Sequence, residues 1–143
     1  MSKFAKGKTS GDLLVLLKET QRKDGCVSEK AMTELADSLE MTRSDVYGVT
    51  TFYSFLSIKP RGRNIIRICK SLPCHLKNYE SVAESIENEL GIKPGETTKD
   101  GRFTLELTNC IGACDVAPAM LINDEVHGNL TPKTISKLLG EYK

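Results

Sequence analysis

The chain has little of what several functional classes require. Its 143 residues include no tryptophan and only 6% aromatic residues, and its formal charge of +1 lacks the broad positive field that nucleic-acid binding normally needs. The longest apolar run, residues 13–17, is far too short to span a bilayer. Residues 1–8 are basic but carry no apolar region of the kind found in signal peptides. We therefore expect a cytoplasmic protein with no nucleic-acid partner and no membrane insertion.

Motifs for nucleotide cofactors and for nucleophilic catalysis are also missing. The sequence contains no G-x-G-x-x-G, no P-loop and no nucleophile elbow. It also has no C-x-x-C, the spacing that thiol–disulfide exchange normally uses. We therefore expect no nicotinamide or flavin site on this chain and no catalytic residue that acts on a substrate.

Cysteine is what the chain does have, and four of its five cysteines form two close pairs. Four residues separate Cys69 from Cys74, and three separate Cys110 from Cys114. In a reducing compartment, paired cysteines are more often metal ligands or redox-active thiols than structural disulfides. Cys26 stands outside the pattern, and we expect it to be a small, partly buried apolar residue.

The first sixty residues predict short helices. Thr9 or Ser10 caps a first helix, which ends at Asp24-Gly25, and Ser28 caps a second. Thr42 and Asp45 resemble a capping box for a third helix, whose apolar positions are Val46, Val49, Phe52, Tyr53 and Leu56. Pro60, Arg61 and Gly62 break the chain. We therefore place a helical module at residues 1–60 and a second domain at residues 61–143.

The second domain changes to the period of β-strands. Asn64 to Cys69 is a β-branched run, and a helix follows from about Lys77 to Leu90, closed by Gly91. Further strands are predicted where Phe103, Leu105 and Leu107 alternate with polar residues and at Ala119 to Ile122, followed by a short return strand, Glu125 to His127, and by a last helix that Thr131 caps. The order is β-α-β-β-α after an all-α leader, which is an α/β fold.

The predicted strands and helices place both cysteine pairs at strand ends. Cys69 ends the first strand and Cys74 lies just before a helix, whereas Cys110 and Cys114 lie in the loop after the next long strand. The ends of strands in an open α/β layer lie on one side and can converge on one site. The four thiols are therefore candidates for a single metal centre.

Four thiolates in two pairs suit a [2Fe–2S] cluster, which takes two thiolates per iron. By hypothesis, Cys69 and Cys74 bind one iron and Cys110 and Cys114 the other, with Gly112 allowing the second loop to turn its amides toward sulfur. Lys70, His75 and Lys77 could offset the negative charge, although such residues are more often only solvated. Zinc is an alternative, but its structural sites favour pairs two residues apart. Thiol exchange is a further one, and the missing C-x-x-C argues against it.

The sequence resembles the small thioredoxin-like [2Fe–2S] subunit of NADH-oxidising complexes. This family includes the complex I peripheral-arm subunit and the corresponding subunits of NAD-linked, often electron-bifurcating, hydrogenases and formate dehydrogenases. The likeness spans about residues 10 to 140 and is strongest in four stretches, namely Asp45 to Tyr53, Ile68 to His75, Asn109 to Pro118 and Asn123 to Pro132.

The resemblance implies a helical module followed by a thioredoxin-like domain. It implies one [2Fe–2S] cluster held by Cys69, Cys74, Cys110 and Cys114, and a cis bond before Pro118. It also implies a larger iron–sulfur flavoprotein partner that binds FMN and NAD(H), together with further catalytic subunits. The aromatic residues of the third helix and the loop after it then form a predicted docking surface, unless they form the core of the small module: Tyr47, Phe52, Tyr53 and Phe55.

The expected function is therefore electron transfer within an NAD(H)-dependent oxidoreductase. We expect a soluble bacterial NAD-dependent, electron-bifurcating hydrogenase or a related dehydrogenase as the parent complex, with respiratory complex I as the alternative. Two competing hypotheses propose other classes of protein: a free-standing ferredoxin-like carrier and a zinc-stapled interaction module.

Overall fold

The computed structural model of the chain describes residues 9–142. Residues 1–8, for which the sequence predicts no signal peptide, lie outside the described residues, as does residue 143. The chain divides between Pro60 and Arg61 into two compact units. Each unit has its own apolar core.

Between residues 9 and 60, the first unit contains three α-helices: α1 (Leu13–Asp24), α2 (Glu29–Leu39) and α3 (Arg43–Phe52). A single 3-10 turn, Ser10–Asp12, precedes α1, which ends at Gly25 in the left-handed conformation. The predicted caps are present, because the Ser28 side chain accepts a hydrogen bond from the Ala31 N–H and Thr42 forms a capping box with Asp45. These caps hold the ends of helices whose apolar faces form one core, made of Leu13, Leu16, Leu17, Val27, Met32, Leu35, Ala36, Leu39 and Val46.

The third helix is shorter than its apolar pattern predicts. It ends at Phe52, so Tyr53 and Leu56 lie beyond it. Its aromatic residues do not form the module's core, since Phe52 is 79% exposed and Tyr47, Tyr53 and Phe55 are also exposed. Phe52 and Tyr53 contact each other edge to face, with ring centroids 5.1 Å apart. Both rings line an open groove of about 450 Å³ together with Leu13, Leu14, Met41 and Val49.

The second unit is a four-stranded sheet packed against helices. Its elements are, in chain order, β1 (Asn64–Cys69), α4 (Leu72–Leu76), α5 (Tyr79–Leu90), β2 (Phe103–Thr108), β3 (Met120–Ile122), β4 (Glu125–His127) and α6 (Pro132–Glu141). The strand order in space is β2-β1-β3-β4, with β1 and β2 parallel and the other neighbours antiparallel. The α/β class is confirmed, although the predicted order omits the helix α4 and does not count β4.

The core of this unit lies where β1 and β3 meet the helices α5 and α6. β1 is buried at all but one position because it is a central strand. Its Ile66 and Ile68 pack with Ile86 of α5 and Ile135 of α6, all almost fully buried. This packing fixes the end of β1, where Cys69 lies, within a rigid part of the unit.

The two edges of the sheet are protected in different ways. The outer edge of β2 is covered by the preceding loop, since the Leu105 N–H donates to the Glu96 carbonyl at 3.0 Å and the Gly95 N–H donates to the Leu105 carbonyl at 2.6 Å. The opposite edge, β4, has only three residues. Covered or short edges leave few free backbone groups for another strand.

A buried ion bridge joins β1 to β2. Glu106 lies opposite Arg67 in the parallel register. Its two carboxylate oxygens accept from different arginines, from Arg61 Nη1 at 3.1 Å and from Arg67 Nε at 2.9 Å. The arginine side chains are only 5% and 7% exposed. Burial lowers the pKa of the Arg67 guanidinium, and the Glu106 charge opposes that shift.

None of the helices formed by residues 9–142 has both the length and the apolar character needed to cross a membrane.

Candidate metal centre

The parallel pairing of β1 and β2 brings both cysteine pairs to the same end of the sheet. Cys69, the last residue of β1, lies opposite Thr108, the last residue of β2. The Lys70 N–H continues this pairing by donating to the Thr108 carbonyl at 2.9 Å. Cys110 follows two residues after β2, and its loop therefore begins beside Cys69. The predicted placement of Cys69 and Cys110 at neighbouring strand ends is confirmed.

Cys74 lies inside a helix, and this corrects its predicted position before one. The short helix α4 begins after Ser71, has Pro73 in its first turn and contains Cys74 at its third position. Asn78 then adopts a left-handed conformation, with φ of 61°, and separates α4 from α5. The helical turn directs the Cys74 side chain inward, where Cys69 and Cys74 are each only 1% exposed.

Hydrogen bonds prepare the first thiol pair to carry negative charge. Burial alone would raise the pKa of the Cys69 thiol, but hydrogen bonds from the Ser71 and Ile111 backbones and from Cys74 outweigh it, and the pKa is lowered. Burial raises the pKa of the Cys74 thiol, as do its hydrogen bond to Cys69 and the neighbouring negative charge. Cys69 therefore ionises more readily than Cys74, and a cation bound to both sulfurs would favour the charged form of each.

The second pair is exposed and held close by a tight loop. The Cys110 and Cys114 Sγ atoms are 3.5 Å apart. Gly112 has φ of +81°, a conformation that glycine adopts without strain, and its N–H donates to Cys110 Sγ at 3.4 Å. The prediction that Gly112 turns an amide toward sulfur is confirmed. The hydrogen bond that the Cys114 thiol donates to Cys110, together with burial and the nearby negative charges, raises the pKa of Cys114.

The two pairs interact with each other. Negative charge on Cys114 raises the pKa of Cys74, and negative charge on Cys69 raises that of Cys114. Ile111 and Ala113 of the second loop pack on buried Cys69 and Cys74. Cys69, Cys74 and Cys114 are therefore close enough to interact electrostatically.

This donor set fits a binuclear cluster. A tetrahedral metal bound to two thiolates at about 2.3 Å holds their sulfurs about 3.8 Å apart, close to the separation of Cys110 and Cys114. Among the described residues, no three or more His, Cys, Asp or Glu side chains are grouped so that they could hold one metal ion. The thiols instead come in twos, and two thiolates per iron is the ligand arrangement of a [2Fe–2S] cluster.

The charged neighbours of the first pair are surface residues. Lys70, His75 and Lys77 are exposed. The His75 Nδ1 atom lies 3.6 Å from Glu80 Oε1, and the His75 ring packs beside Tyr79. The other histidine, His127, has its Nε2 atom 2.8 Å from the Tyr142 hydroxyl. Cys26 is buried within the first unit, as expected of a small apolar residue.

The backbone N–H groups that donate to the first thiol pair are not predicted from the sequence. Ser71 and Ile111 donate toward Cys69, and Ala119 donates toward Cys74. A signal for Ser71 is present in the sequence, because Ser followed by Pro two residues later is typical of the start of a helix. Ile111 and Ala119 carry no such signal, since any residue supplies a backbone N–H.

The loop after Cys114 is fixed by residues on both sides. A 3-10 turn, Cys114–Val116, leads into a cis Ala117–Pro118 bond, as predicted from the resemblance. The Cys69 N–H then donates to the Ala119 carbonyl at 3.2 Å, which ties this segment to the first pair.

Comparison with known proteins agrees with this geometry. The sequence model of the thioredoxin-like [2Fe-2S] ferredoxin family matches residues 1–143. The chain belongs to this family. Its cofactor is accordingly a [2Fe–2S] cluster, which confirms the prediction and excludes the zinc alternative. The thioredoxin-like fold is confirmed as well.

Several curated relatives of this ferredoxin family member share one name, that of a subunit of NADH-quinone oxidoreductase. The protein from Escherichia coli K12 is 46% identical over 127 residues, which is 89% of this chain and 76% of the relative. The protein from Buchnera aphidicola is 49% identical over 127 residues, covering 89% and 78%. The protein from Pseudomonas aeruginosa is 45% identical over 126 residues, covering 88% and 76%.

A solved structure shows the same fold in a longer chain. The air-oxidised crystal structure of an NAD+-reducing [NiFe]-hydrogenase superposes with a TM-score of 0.77 at 24% identity. The superposition covers 89% of this chain but only 22% of the hydrogenase chain. At this identity the likeness supports the fold of the ferredoxin and not the activity of the hydrogenase.

Proposed function

We propose that this chain is an electron-transfer subunit of an NADH-oxidising complex, with its [2Fe–2S] cluster held by Cys69, Cys74, Cys110 and Cys114. The observation that carries the proposal is the position of two close thiol pairs at one end of the sheet, with Ile111 and Ala113 of the second loop packed on Cys69 and Cys74. The bound cluster supplies one-electron chemistry, near about −400 mV in plant-type ferredoxins, a range that suits exchange with NADH-level donors.

The two thiol pairs have different roles at the site. Cys69 and Cys74 anchor the cluster in the apolar interior, where hydrogen bonds from Ser71, Ile111 and Ala119 offset negative charge on sulfur. Cys110 and Cys114 are exposed and face outward. Electrons therefore have their shortest route to a partner through the second pair.

Ligand assignment is tested by replacing each of the four cysteines with serine in the full chain. After anaerobic purification, the wild type should hold about two irons and two sulfides per chain. Each of the four variants should lose the cluster or change its EPR spectrum, because serine offers oxygen in place of the preferred thiolate. Cys26→Ser is the matched control and should keep the wild-type cluster. A ligand variant with unchanged iron, sulfide and EPR spectrum would contradict the assignment.

For the parent complex, we propose an NADH-quinone oxidoreductase, which revises the expectation of a hydrogenase. Identities of 45–49% to relatives of that name support this choice. The hydrogenase remains the second candidate, supported by the shared fold with an NAD+-reducing enzyme. The proposal includes a cytoplasmic location, where thiolate ligands stay reduced.

The proposed partner is a larger flavoprotein that binds FMN and NAD(H), and the exposed aromatic residues of the first unit are its proposed contact. Phe52, at 79% exposure, is the natural residue to test. Phe52→Ala should weaken co-purification of the chain with the flavoprotein from the native host, because large aromatic residues dominate interface energies. Val15→Ala, at another exposed apolar position, is the control. Equal recovery of the flavoprotein with both variants would exclude Phe52 from the interface.

The identity of the co-purified subunits decides between the two parent complexes. Membrane subunits together with quinone-dependent NADH oxidation are expected for the first candidate. A hydrogenase subunit with hydrogen-dependent NAD reduction would establish the second.

A further inference from the structure

The segment after β4 lies directly against the turn that carries Cys114. The Asn129 N–H donates to the Val116 carbonyl at 2.6 Å, and the Leu130 N–H donates to the Pro118 carbonyl at 3.1 Å. Residues 128–130 thus pair with residues 116–118, although neither segment is part of a β-strand of the sheet. This pairing holds the far side of the Cys114 turn.

Gly128 allows the two segments to come this close. A Cβ atom at position 128 would lie 2.3 Å from Val116 Cγ2, 2.4 Å from Val116 Cβ and 2.8 Å from the Val116 carbonyl oxygen. Ordinary contact between carbon atoms begins at about 3.5 Å, so one of the segments would have to move by about 1 Å. Side-chain rotation cannot remove this overlap, because Val116 Cβ and the carbonyl oxygen are fixed to the backbone.

The segment at 128–130 is the better anchored of the two. Leu130 is buried in the core of the unit, and His127 pairs with Met120 of β3. The His127 ring also lies 2.8 Å from the Tyr142 hydroxyl, which in turn donates to Glu125. Residues 114–116 form only one 3-10 turn, and Cys114 is exposed. A side chain at position 128 would therefore displace the turn and its Cys114 thiol.

We infer that Gly128 is a positioning residue for the cluster: its missing side chain sets the place of the Cys114 thiolate through Val116. This inference rests on the proposed ligand role of Cys114. Ligand orientation and hydrogen bonds to sulfur tune the potential and electronic structure of iron–sulfur clusters. Gly128→Ala should accordingly change the reduction potential and the EPR g values of the reduced cluster, whereas a merely structural glycine would change only stability.

The test uses the anaerobically purified full chain, with potentiometric titration followed by EPR. Two glycines provide matched controls for the same substitution. At Gly140 in α6, an added Cβ would meet no atom within 4 Å, so Gly140→Ala should leave the potential and the g values unchanged. A Cβ at Gly62 would lie 2.8 Å from the Phe103 carbonyl carbon. Gly62 precedes β1, at the opposite end of that strand from Cys69. Gly62→Ala should lower stability and leave the potential and g values unchanged.

Rescue separates positioning from general damage. Val116→Gly removes the two side-chain atoms closest to position 128. Only the 2.8 Å contact with the carbonyl oxygen then remains, so adding Gly128→Ala to Val116→Gly should shift the potential and g values much less than Gly128→Ala shifts those of the wild type. If Gly128→Ala does not fold or hold a cluster, recovery of the cluster in the double variant supports the inference.

Three results would overturn it. The first is a Gly128→Ala cluster with the potential and g values of the wild type and Gly140→Ala. The second is a double variant that keeps the full shift of Gly128→Ala or fails to hold a cluster when Val116→Gly alone holds one. The third is a Gly62→Ala shift as large as that of Gly128→Ala. A wild-type chain without iron and sulfide would instead overturn the proposed function, and this inference with it.

Discussion

Replacing Glu106 by glutamine should loosen the sheet at the strand that ends in Cys69. Glutamine keeps the shape of the side chain but has only one acceptor oxygen. Arg61 and Arg67 donate to different carboxylate oxygens, so in Glu106→Gln one guanidinium must face an amide NH2. The substitution therefore removes the charge of the bridge and also creates a donor–donor contact.

The magnitude follows from distance and burial. Opposite charges about 3 Å apart attract by about 5–6 kcal/mol per contact at an effective dielectric constant of about 20. The guanidiniums are already desolvated in both variants, and glutamine retains one acceptor, so the loss is smaller than the two contacts combined. Breaking a buried ion pair by removing one partner typically costs about 3–5 kcal/mol. We expect about 3 kcal/mol at β1.

Native-state amide hydrogen exchange on the cluster-loaded protein measures this cost without requiring reversible unfolding. A loss of about 3 kcal/mol corresponds to exchange of the Ile66 and Ile68 amides about 100-fold faster. Glu29→Gln is the control, since Glu29 pairs with Arg43 at a similar distance of 3.0 Å but both side chains are more than half exposed. It should cost less than about 1 kcal/mol, measured on α2 amides. An acceleration below about tenfold at β1, or one no larger than the control gives, would refute the reasoning.

Three further perturbations have defined outcomes. Burial and the hydrogen bond to Glu125 raise the pKa of Tyr142 to about 12, so ultraviolet titration should show a late ionisation of Tyr142 that Glu125→Gln shifts downward. Because the folded pKa lies above the usual value near 10, the associated stability is complete below about pH 10 and is lost as the pH rises toward 12. Asn78→Ala should cost about 1 kcal/mol by hydrogen exchange of α5, because Asn78 is left-handed, whereas Asn78→Gly should cost little. Thr42→Ala should destabilise the first unit by about 1 kcal/mol through loss of its cap, with no change in the EPR spectrum.

Features set by local sequence could be predicted. The β-branched run from Asn64 to Cys69 forms a strand with those bounds, and Ser28 and Thr42 cap helices as expected. In each case neighbouring residues along the chain determine the outcome, through side-chain period or a hydrogen bond three residues away. The closeness of each thiol pair was predictable for the same reason, since the members of a pair are only four or five positions apart along the chain.

Features that depend on distant residues could not be predicted. Leu107 alternates with polar residues like Phe103 and Leu105, yet it is 38% exposed, and it lies on β2, an edge strand of the sheet. The helix α4 has five residues, too few to be stable without tertiary contacts. The bridge from Glu106 to Arg61 and Arg67 spans about forty residues, and nothing local marks those charges as buried.

The protected edges of the sheet have a consequence for how the chain behaves when it is made in excess of its partners. Association of folded copies through strand addition requires a long, flat edge with free N–H and carbonyl groups. Here the Gly95–Thr98 segment already occupies the β2 edge, and β4 offers only three residues, which end at His127. Copies that await assembly should therefore not polymerise edge to edge. Their main route to aggregation is instead through exposed aromatic residues such as Phe52.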